Sequence, residues 1–588
     1  MRRTRTELVL ALALGALLVY LIVVPVSTIV WGSLGTTPTG IPGPRTLAHY
    51  RTALSAPTFV GSIRTTIAFA GGVTVVATLL GGYLAWVTER TDAPGRRLVY
   101  LLVLVPIVVP GILTTIAWIL VLHERIGIAN GLLAAIGASR PRFDAYTLPA
   151  MVWVEGFDSL TLPFLLIAAA LRTMDPAVEE ASVLSGASTS RTAFRITLPL
   201  VLPAVSAAAL LVFVRAIGSF AVPAAMGLPG GVRVLATEVF LAARRFPSDS
   251  NLAAAYAVLH LALAAVVLAL HQRITRHGDR FVTIGARVAH NGRIALRRTR
   301  TVHAASALAI LGVAVVLPLV VIVVSSLLPR PMPPTELDPS LFTLRRYAWA
   351  LESVVARRAL VNNVVVGGLA SVVTVVIAAI VAWVSTRSRL RWRRLLDILA
   401  TAPIALPGTV LGLALLWWYL IVPLPIYATR WLVGIAFVTA FLPYAVRAAA
   451  ALLGQLSPAL EEASAMSGAG WSRTFARIVL PLVAPGLIAA WLYVVARTFT
   501  SLALPALLAG PGGEMLPSVV YDLYESARYS ELNALGVLMI GGMLAIAGLA
   551  RLSAILADRW SGLVHDPSTS GERGATPTGI ARQERTAE

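Results

Sequence analysis

The 588-residue chain is 57% hydrophobic and only 13% charged, with a mean hydropathy of +0.80, whereas soluble domains run near 45–50% apolar and about 25% charged. Its net charge of +20 comes from 48 basic residues, all of them Arg because the sequence holds no Lys. Without Lys there is neither a Walker A loop nor a Schiff-base nucleophile, and without Cys there is no disulfide, thiolate or thiolate-bound metal. The eight His show no HExxH or HxxxH spacing, so the chain is expected to carry no metal, no bound cofactor and no enzyme activity of its own.

About 20 apolar residues suffice for a helix to cross the roughly 30 Å hydrocarbon layer. Twelve stretches meet that length, near 8–31, 63–87, 99–121, 147–171, 198–222, 251–271, 304–328, 361–384, 395–420, 432–453, 480–506 and 531–556. The first follows Arg2, Arg3 and Arg5 but is over 20 residues long and contains Pro25 instead of a cleavage site, so it reads as a retained anchor. An even number of spans puts both termini on one side. Arg387, Arg389, Arg391, Arg393 and Arg394, with eight more Arg between 272 and 303, place that side in the cytoplasm of a multi-pass protein of the cell membrane. The positive charge is therefore a topology signal within lipid, and no nucleic-acid partner is expected. The third and ninth stretches contain Pro106 with Pro110-Gly111 and Pro403 with Pro407-Gly408, which free carbonyls and bend helices. Past Asp566 the sequence is polar, mixed in charge and expected to be disordered.

The chain repeats itself once. Residues 179–203 read EEASVLSGASTSRTAFRITLPLVLP and residues 461–485 read EEASAMSGAGWSRTFARIVLPLVAP, with 17 of 25 positions identical at an offset of 282. Earlier pairs such as Trp86 with Trp383 and Arg96-Arg97 with Arg393-Arg394 are offset by 297, the difference falling in a longer outer loop around 126–146. The expected fold is all-α, with about 12 transmembrane helices as two homologous six-helix halves related by an axis along the membrane normal. The expected organisation is a first transmembrane domain at 1–276, a basic cytoplasmic linker at 277–303, a second transmembrane domain at 304–560 and a tail at 561–588.

The repeated 25-mer lies between the fourth and fifth spans of each half. Asp175-Pro176 and Ser457-Pro458 start a helix, Gly186 and Gly468 end it, and a second short helix carries Arg191 and Arg195, or Arg473 and Arg477, before Leu-Pro opens the next span. The pattern Glu180-Ala181-Ser182, Gly186, Ile196-x-Leu198-Pro199, repeated as Glu462-Ala463-Ser464, Gly468, Ile478-x-Leu480-Pro481, resembles the signature loop of importer-type ABC permeases. That resemblance covers the chain to about residue 556 and implies the type I importer permease fold. It implies that Glu179, Glu180, Ala181, Gly186 and Arg191, with Glu461, Glu462, Ala463, Gly468 and Arg473, form coupling loops docking on separate ATPase subunits that use the ATP. Two similar loops suggest an ATPase homodimer. The family also implies an extracytoplasmic solute-binding protein, and fusion of two halves is similar to the ferric-iron and thiamine importers.

Ionisable residues at bilayer depth are costly and mark function or obligatory pairing. Glu155, Asp158, Arg215 and Arg497 are such residues; the two Arg share the 282 offset and are followed one turn on by Ser219 and Ser501. They could face each other across a pathway for an anionic or chelated solute, or stabilise a gate; equally, Arg215 could pair with Glu155 or Asp158 simply to fix helix packing. The two carboxylates have no counterpart at Phe437 and Ala440. The outward Pro-Gly-Gly stretches, 227–240 and 509–525, resemble those of ferric-iron permeases. The sequence thus reads as the permease of an ATP-driven importer, ferric iron being the leading cargo and thiamine, polyamine or phosphonate the alternatives. An ion-coupled carrier is the rival class.

Overall fold

A computed structural model describes residues 2–38, 40–137, 143–175, 177–244, 249–275, 294–388 and 390–564. Most of the basic linker expected at 277–303, and the tail beyond Val564, lie outside the described residues. The chain forms two compact units, 1–543 and 544–588. The second is described only as the end of the helix Tyr529–Val564.

Helix dominates the described residues, as the apolar stretches lead one to expect. Nine helices are long and apolar enough to cross a membrane, and three bent pairs bring the number to twelve. The bent pairs are Arg96–Ile107 with Gly111–Leu122 at 105°, Leu148–Ser159 with Thr161–Thr173 at 45°, and Arg393–Ala405 with Gly408–Ile421 at 110°. Continuous third and ninth spans are therefore replaced by sharply broken ones. The cause is local: Pro110 and Pro407 take extended backbone at ψ 130° and 140°, interrupt the first helix and cap the one that starts at the following Gly.

A second departure concerns the helix expected to carry Arg191 and Arg195. It is not separate. Thr189–Thr192 runs through a wider π turn, Ala193–Thr197, into Leu198–Ile217, and Trp471–Thr474 does the same through Phe475–Val479 into Leu480–Thr500. Pro199 and Pro481 have no N–H for the carbonyl four residues back, and the turn widens so that Leu198 donates to the carbonyl of Ala193 and Leu480 to that of Phe475.

The halves exchange their first spans. Arg2–Leu18 packs on Arg393–Thr401 and Val24–Ser33 on Gly408–Ile421, while Arg300–Leu311 packs on Arg96–Leu104 and Leu317–Leu327 on Gly111–Leu122. Leu14, Leu18 and Ile22 accordingly belong to the same buried cluster as Trp383, Leu415, Phe437 and Leu442 of the second half. Outward-pointing residues such as Leu79, Leu101 and Val376 remain exposed, as a lipid-facing belt requires.

Candidate functional site

The repeated loops form the same structure twice. Helices Ala177–Leu184 and Ala459–Met466 start where Asp175 Oδ1 accepts from the N–H of Ala177 at 2.9 Å and Ser457 Oγ accepts from that of Ala459 at 3.4 Å. Each ends in a left-handed glycine, Gly186 at φ +81° and Gly468 at φ +78°. The N–H of Gly186 bonds the carbonyl of Val183 and that of Ala187 bonds Ser182, while Gly468 bonds Ala465 and Ala469 bonds Ser464. This is the Schellman arrangement, which needs a residue without Cβ strain at the left-handed position. The hydroxyls of Ser182 and Thr192 meet at 2.9 Å, and those of Ser464 and Thr474 at 2.8 Å, clamping each loop onto the following span.

Within each loop the paired glutamates separate. Glu179 and Glu461 are buried, whereas Glu180, Ala181 and Arg191, with Glu462, Ala463 and Arg473, are exposed. Glu179 pairs with Arg90 at the end of the second span and accepts from the Thr197 hydroxyl. Glu461 lies 3.5 Å from Arg387 Nε and accepts from Trp383 Nε1 at 3.1 Å. Arg90 and Arg387 are the same repeat position, offset by 297; the sequence reading missed them, although the neighbouring Trp86 and Trp383 pointed to that register. The most exposed apolar side chains are also equivalent: Leu184 is 88% and Met466 90% exposed, beside Val183 and Leu460. The two loops thus present equivalent apolar side chains away from the rest of the chain.

Deeper in, Arg215 donates to Asp158 Oδ2 at 2.7 Å and Ser219 donates to Glu155 Oε2 at 2.8 Å. Arg215 remains 36% exposed at its side chain, so the pair borders a space and is not sealed in packing. A Cβ on Gly111 would lie 3.8 Å from Asp158, which places that carboxylate beside the break of the third span, and one on Gly218 would lie 3.4 Å from Pro407 at the break in the other half. Arg497 does not mirror Arg215: its guanidinium lies 6.0 Å from the centre of the Phe441 ring, and Ser501 ends its helix. Both guanidinium charges reach Glu155 and the Tyr444 hydroxyl. Tyr444 and Tyr493, 5.6 Å apart, head a cavity of about 490 Å³ whose walls are Leu452 and small residues such as Ala448, Ala451, Gly486 and Ala489.

At the opposite end from the loops, Gly230 and Gly510 pack against the segments joining the third and fourth spans, where a Cβ would lie 2.0 Å from the Tyr146 carbonyl or 2.4 Å from that of Ala428. Each turn leads into a short helix, Leu235–Arg244 or Leu516–Glu525. These cross-link the halves: Arg244 donates to the carbonyl of Ala506 at 3.0 Å and Tyr524 to that of Ala225 at 2.6 Å. Burial raises the Glu238 carboxyl above its ordinary range, with Arg233 at 3.6 Å offsetting part of that rise.

Among known proteins, a probable ABC transporter permease of Sinorhizobium fredii is 29% identical over 429 residues, covering 71% of this chain and 74% of its own. A ferric transport system permease of Actinobacillus pleuropneumoniae is 24% identical over 406 residues, 67% of this chain and 58% of its own. The putrescine transport system permease PotI of Escherichia coli is 26% identical over 189 residues, 31% of this chain and 66% of its own. The family model for the inner membrane component of binding-protein-dependent transport systems matches twice, at residues 77–277 and 374–566, once in each half and across each anchored loop. The chain belongs to that family and is a multi-pass inner-membrane permease.

Proposed function

We propose that the chain is the complete transmembrane pathway of an ATP-driven importer, with both termini in the cytoplasm. Its two loops dock in clefts of two copies of one ATPase chain, which binds and hydrolyses the ATP. A small solute arrives from an extracytoplasmic binding protein. The observation that carries this reading is the loop itself: two equivalent helices, each anchored through a buried glutamate to the second span and presenting Leu184 or Met466 outward.

The anchors give the loops a mechanical role. Twenty-four residues of continuous helix separate Arg191 from Arg215, about 36 Å at 1.5 Å per residue. A loop displaced by its ATPase therefore moves the span that ends at the Arg215–Asp158 pair, and through Arg90 or Arg387 it moves the second span as well. Differential contact of ATP-closed and open partners with the loops biases the pathway between inward and outward states. Ferric iron is the leading cargo, supported by the ferric transport relative; thiamine, polyamine and phosphonate are the alternatives.

The test is purification of the tagged chain from native membranes in mild detergent. A near-stoichiometric P-loop ATPase is expected. A Gly186→Arg, Gly468→Arg double variant is expected to insert normally but lose the ATPase and transport; normal transport by that variant would sink the docking assignment.

A further inference from the structure

At the end of the molecule opposite the loops, the two halves border an open cavity of about 420 Å³. One side is the 224–229 turn of the first half; the other is formed by Tyr521, Tyr524, Glu525, Ala527 and Tyr529 of the second. The tyrosine rings form a chain, with centroids 6.4 Å apart between Tyr521 and Tyr524 and 5.9 Å between Tyr524 and Tyr529. The Tyr524 hydroxyl is committed to the Ala225 carbonyl at 2.6 Å. Burial pushes the Tyr521 and Tyr524 hydroxyls up, so both phenols are neutral at physiological pH.

The one charged side chain among the residues lining this cavity is Glu525. Glu525 is exposed and interacts with the Tyr521 hydroxyl, and among the described residues it takes part in no ion pair. Two guanidinium groups lie nearby: Arg528 is 3.5 Å from Glu531 and over the Trp349 ring, and Arg244 donates to the Ala506 carbonyl while its charge also reaches Tyr521.

The duplication shows that the scaffold does not need Tyr524 or Glu525 at their positions. The helices Leu235–Arg244 and Leu516–Glu525 start at an offset of 281, with matching caps from Thr237 and Ser518, so Tyr521, Tyr524 and Glu525 correspond to Phe240, Ala243 and Arg244. One copy of the helix therefore carries Tyr524 and ends in a carboxylate, where the other carries an alanine and ends in a guanidinium. The same end of the helix holds Ala527 at φ +55°, a left-handed conformation that an alanine adopts under strain.

Resting on the importer reading and narrowing its cargo, we propose that this cavity is the outer entry site for a positively charged solute, held by the Glu525 carboxylate and the tyrosine ring faces. A carboxylate beside π-faces attracts a cation and repels an anion. Because both halves line the cavity, a change in their separation alters the site, which suits a cargo that must be accepted in one state and released in another. Ferric iron, thiamine and polyamines fit this charge; a phosphonate does not.

The test is isothermal titration of the full chain in lipid nanodiscs with putrescine, with citrate-buffered Fe³⁺ and with methylphosphonate. Putrescine or Fe³⁺ is expected to bind, about tenfold more weakly in Glu525→Gln and Tyr529→Leu and within twofold of the parent in Tyr529→Phe. Displacement of putrescine by Fe³⁺ from the same site identifies the metal as the cation; binding of putrescine without displacement identifies an organic amine. Binding of methylphosphonate alone, unchanged cation affinity in Glu525→Gln, or no binding of either cation overturns the proposal. An ATPase that co-purifies with a chain binding no cation leaves the importer reading intact, and cation binding without an ATPase does the reverse.

Discussion

In the first half, the loop's leading glutamate is held in a clasp of alternating charge: Glu179 meets Arg90 and Thr197, while the preceding residue of the second span, Glu89, takes a bidentate bond from Arg172. In the second half the positions of Glu89, Arg172 and Thr197 are Thr386, Gly454 and Val479. There Arg387 reaches the carbonyls of Leu453 and Leu456 at 2.6 and 2.5 Å as well as Glu461, and Trp383 supplies the bond that Thr197 supplies in the first half. Trp383 also meets Trp471 edge-on, and Trp471 stacks on Phe475; the counterparts of Trp471 and Phe475 at the 282 offset are Thr189 and Ala193. The two loops keep one outward surface on two different foundations, which indicates that the geometry is the selected feature and the bonds behind it are interchangeable.

That contrast predicts unequal costs. Glu179→Ala strands the guanidinium of Arg90, which is only 4% exposed, and is expected to destabilise the chain by about 3–5 kcal/mol. Glu461→Ala is expected to cost about 1–3 kcal/mol, because Arg387 retains two carbonyl acceptors. Thermal unfolding of the two purified variants in the same detergent decides it; equal shifts in Tm would show that the anchors are equivalent after all.

The charges at bilayer depth sharpen the comparison further. Asp158→Asn removes the charged partner of Arg215 and is expected to lower transport about tenfold in reconstituted vesicles, near the lower end of the roughly 1.5–3 kcal/mol of one hydrogen bond to a charged group. At the equivalent position of the second half, Ala440→Ser is expected to leave transport unchanged. A similar loss at both positions would contradict an asymmetric pathway. Thr197→Val, which gives the first loop the residue of the second, is expected to cost about 1 kcal/mol, since the Trp86 indole N–H is buried without a partner and does not serve Glu179.

The smallest effects concern backbone conformation. Gly186→Ala and Gly468→Ala place a Cβ at φ +81° and +78° and are each expected to lose about 1 kcal/mol, whereas Ala527→Gly, relieving φ +55°, is expected to gain a similar amount. Differential melting of the three variants tests the sign.

The helical class, the duplication and the two glycine-ended loops were legible because each rests on a local pattern: apolar runs of span length, a 25-residue match and a glycine at the position where a helix must turn left-handed. The division of labour within Glu179-Glu180 was not, since adjacent identical residues differ only in which helix face meets Arg90. The break at Pro110-Gly111 was legible as a bend but not as a turn of 105°, and Pro199 gave no sign that the helix would continue past it through a π turn. The exchange of first spans was invisible, because both halves offer equally apolar partners and the choice is made by packing at long range. At bilayer depth the sequence named Arg215, Asp158, Glu155 and Ser219 but left their pairing open. The tyrosines and Glu525 of the cavity opposite the loops do not stand out within their stretch, because the Pro-Gly-Gly turn is its strongest local signal; that Tyr524 and Glu525 stand where the other copy has Ala243 and Arg244 shows only when the two helices are aligned by their starts, at an offset of 281.

The docking surface admits a direct test, because the natural chain has no Cys and single cysteines can therefore be placed without background. Leu184→Cys and Met466→Cys, introduced separately into the tagged chain and treated in native membranes with a short thiol-to-amine crosslinker, are each expected to capture the same P-loop ATPase in comparable yield. Failure of both positions to capture an ATPase, while a control cysteine at Glu525 reacts with soluble reagent, would contradict the account of the two loops as a paired docking surface.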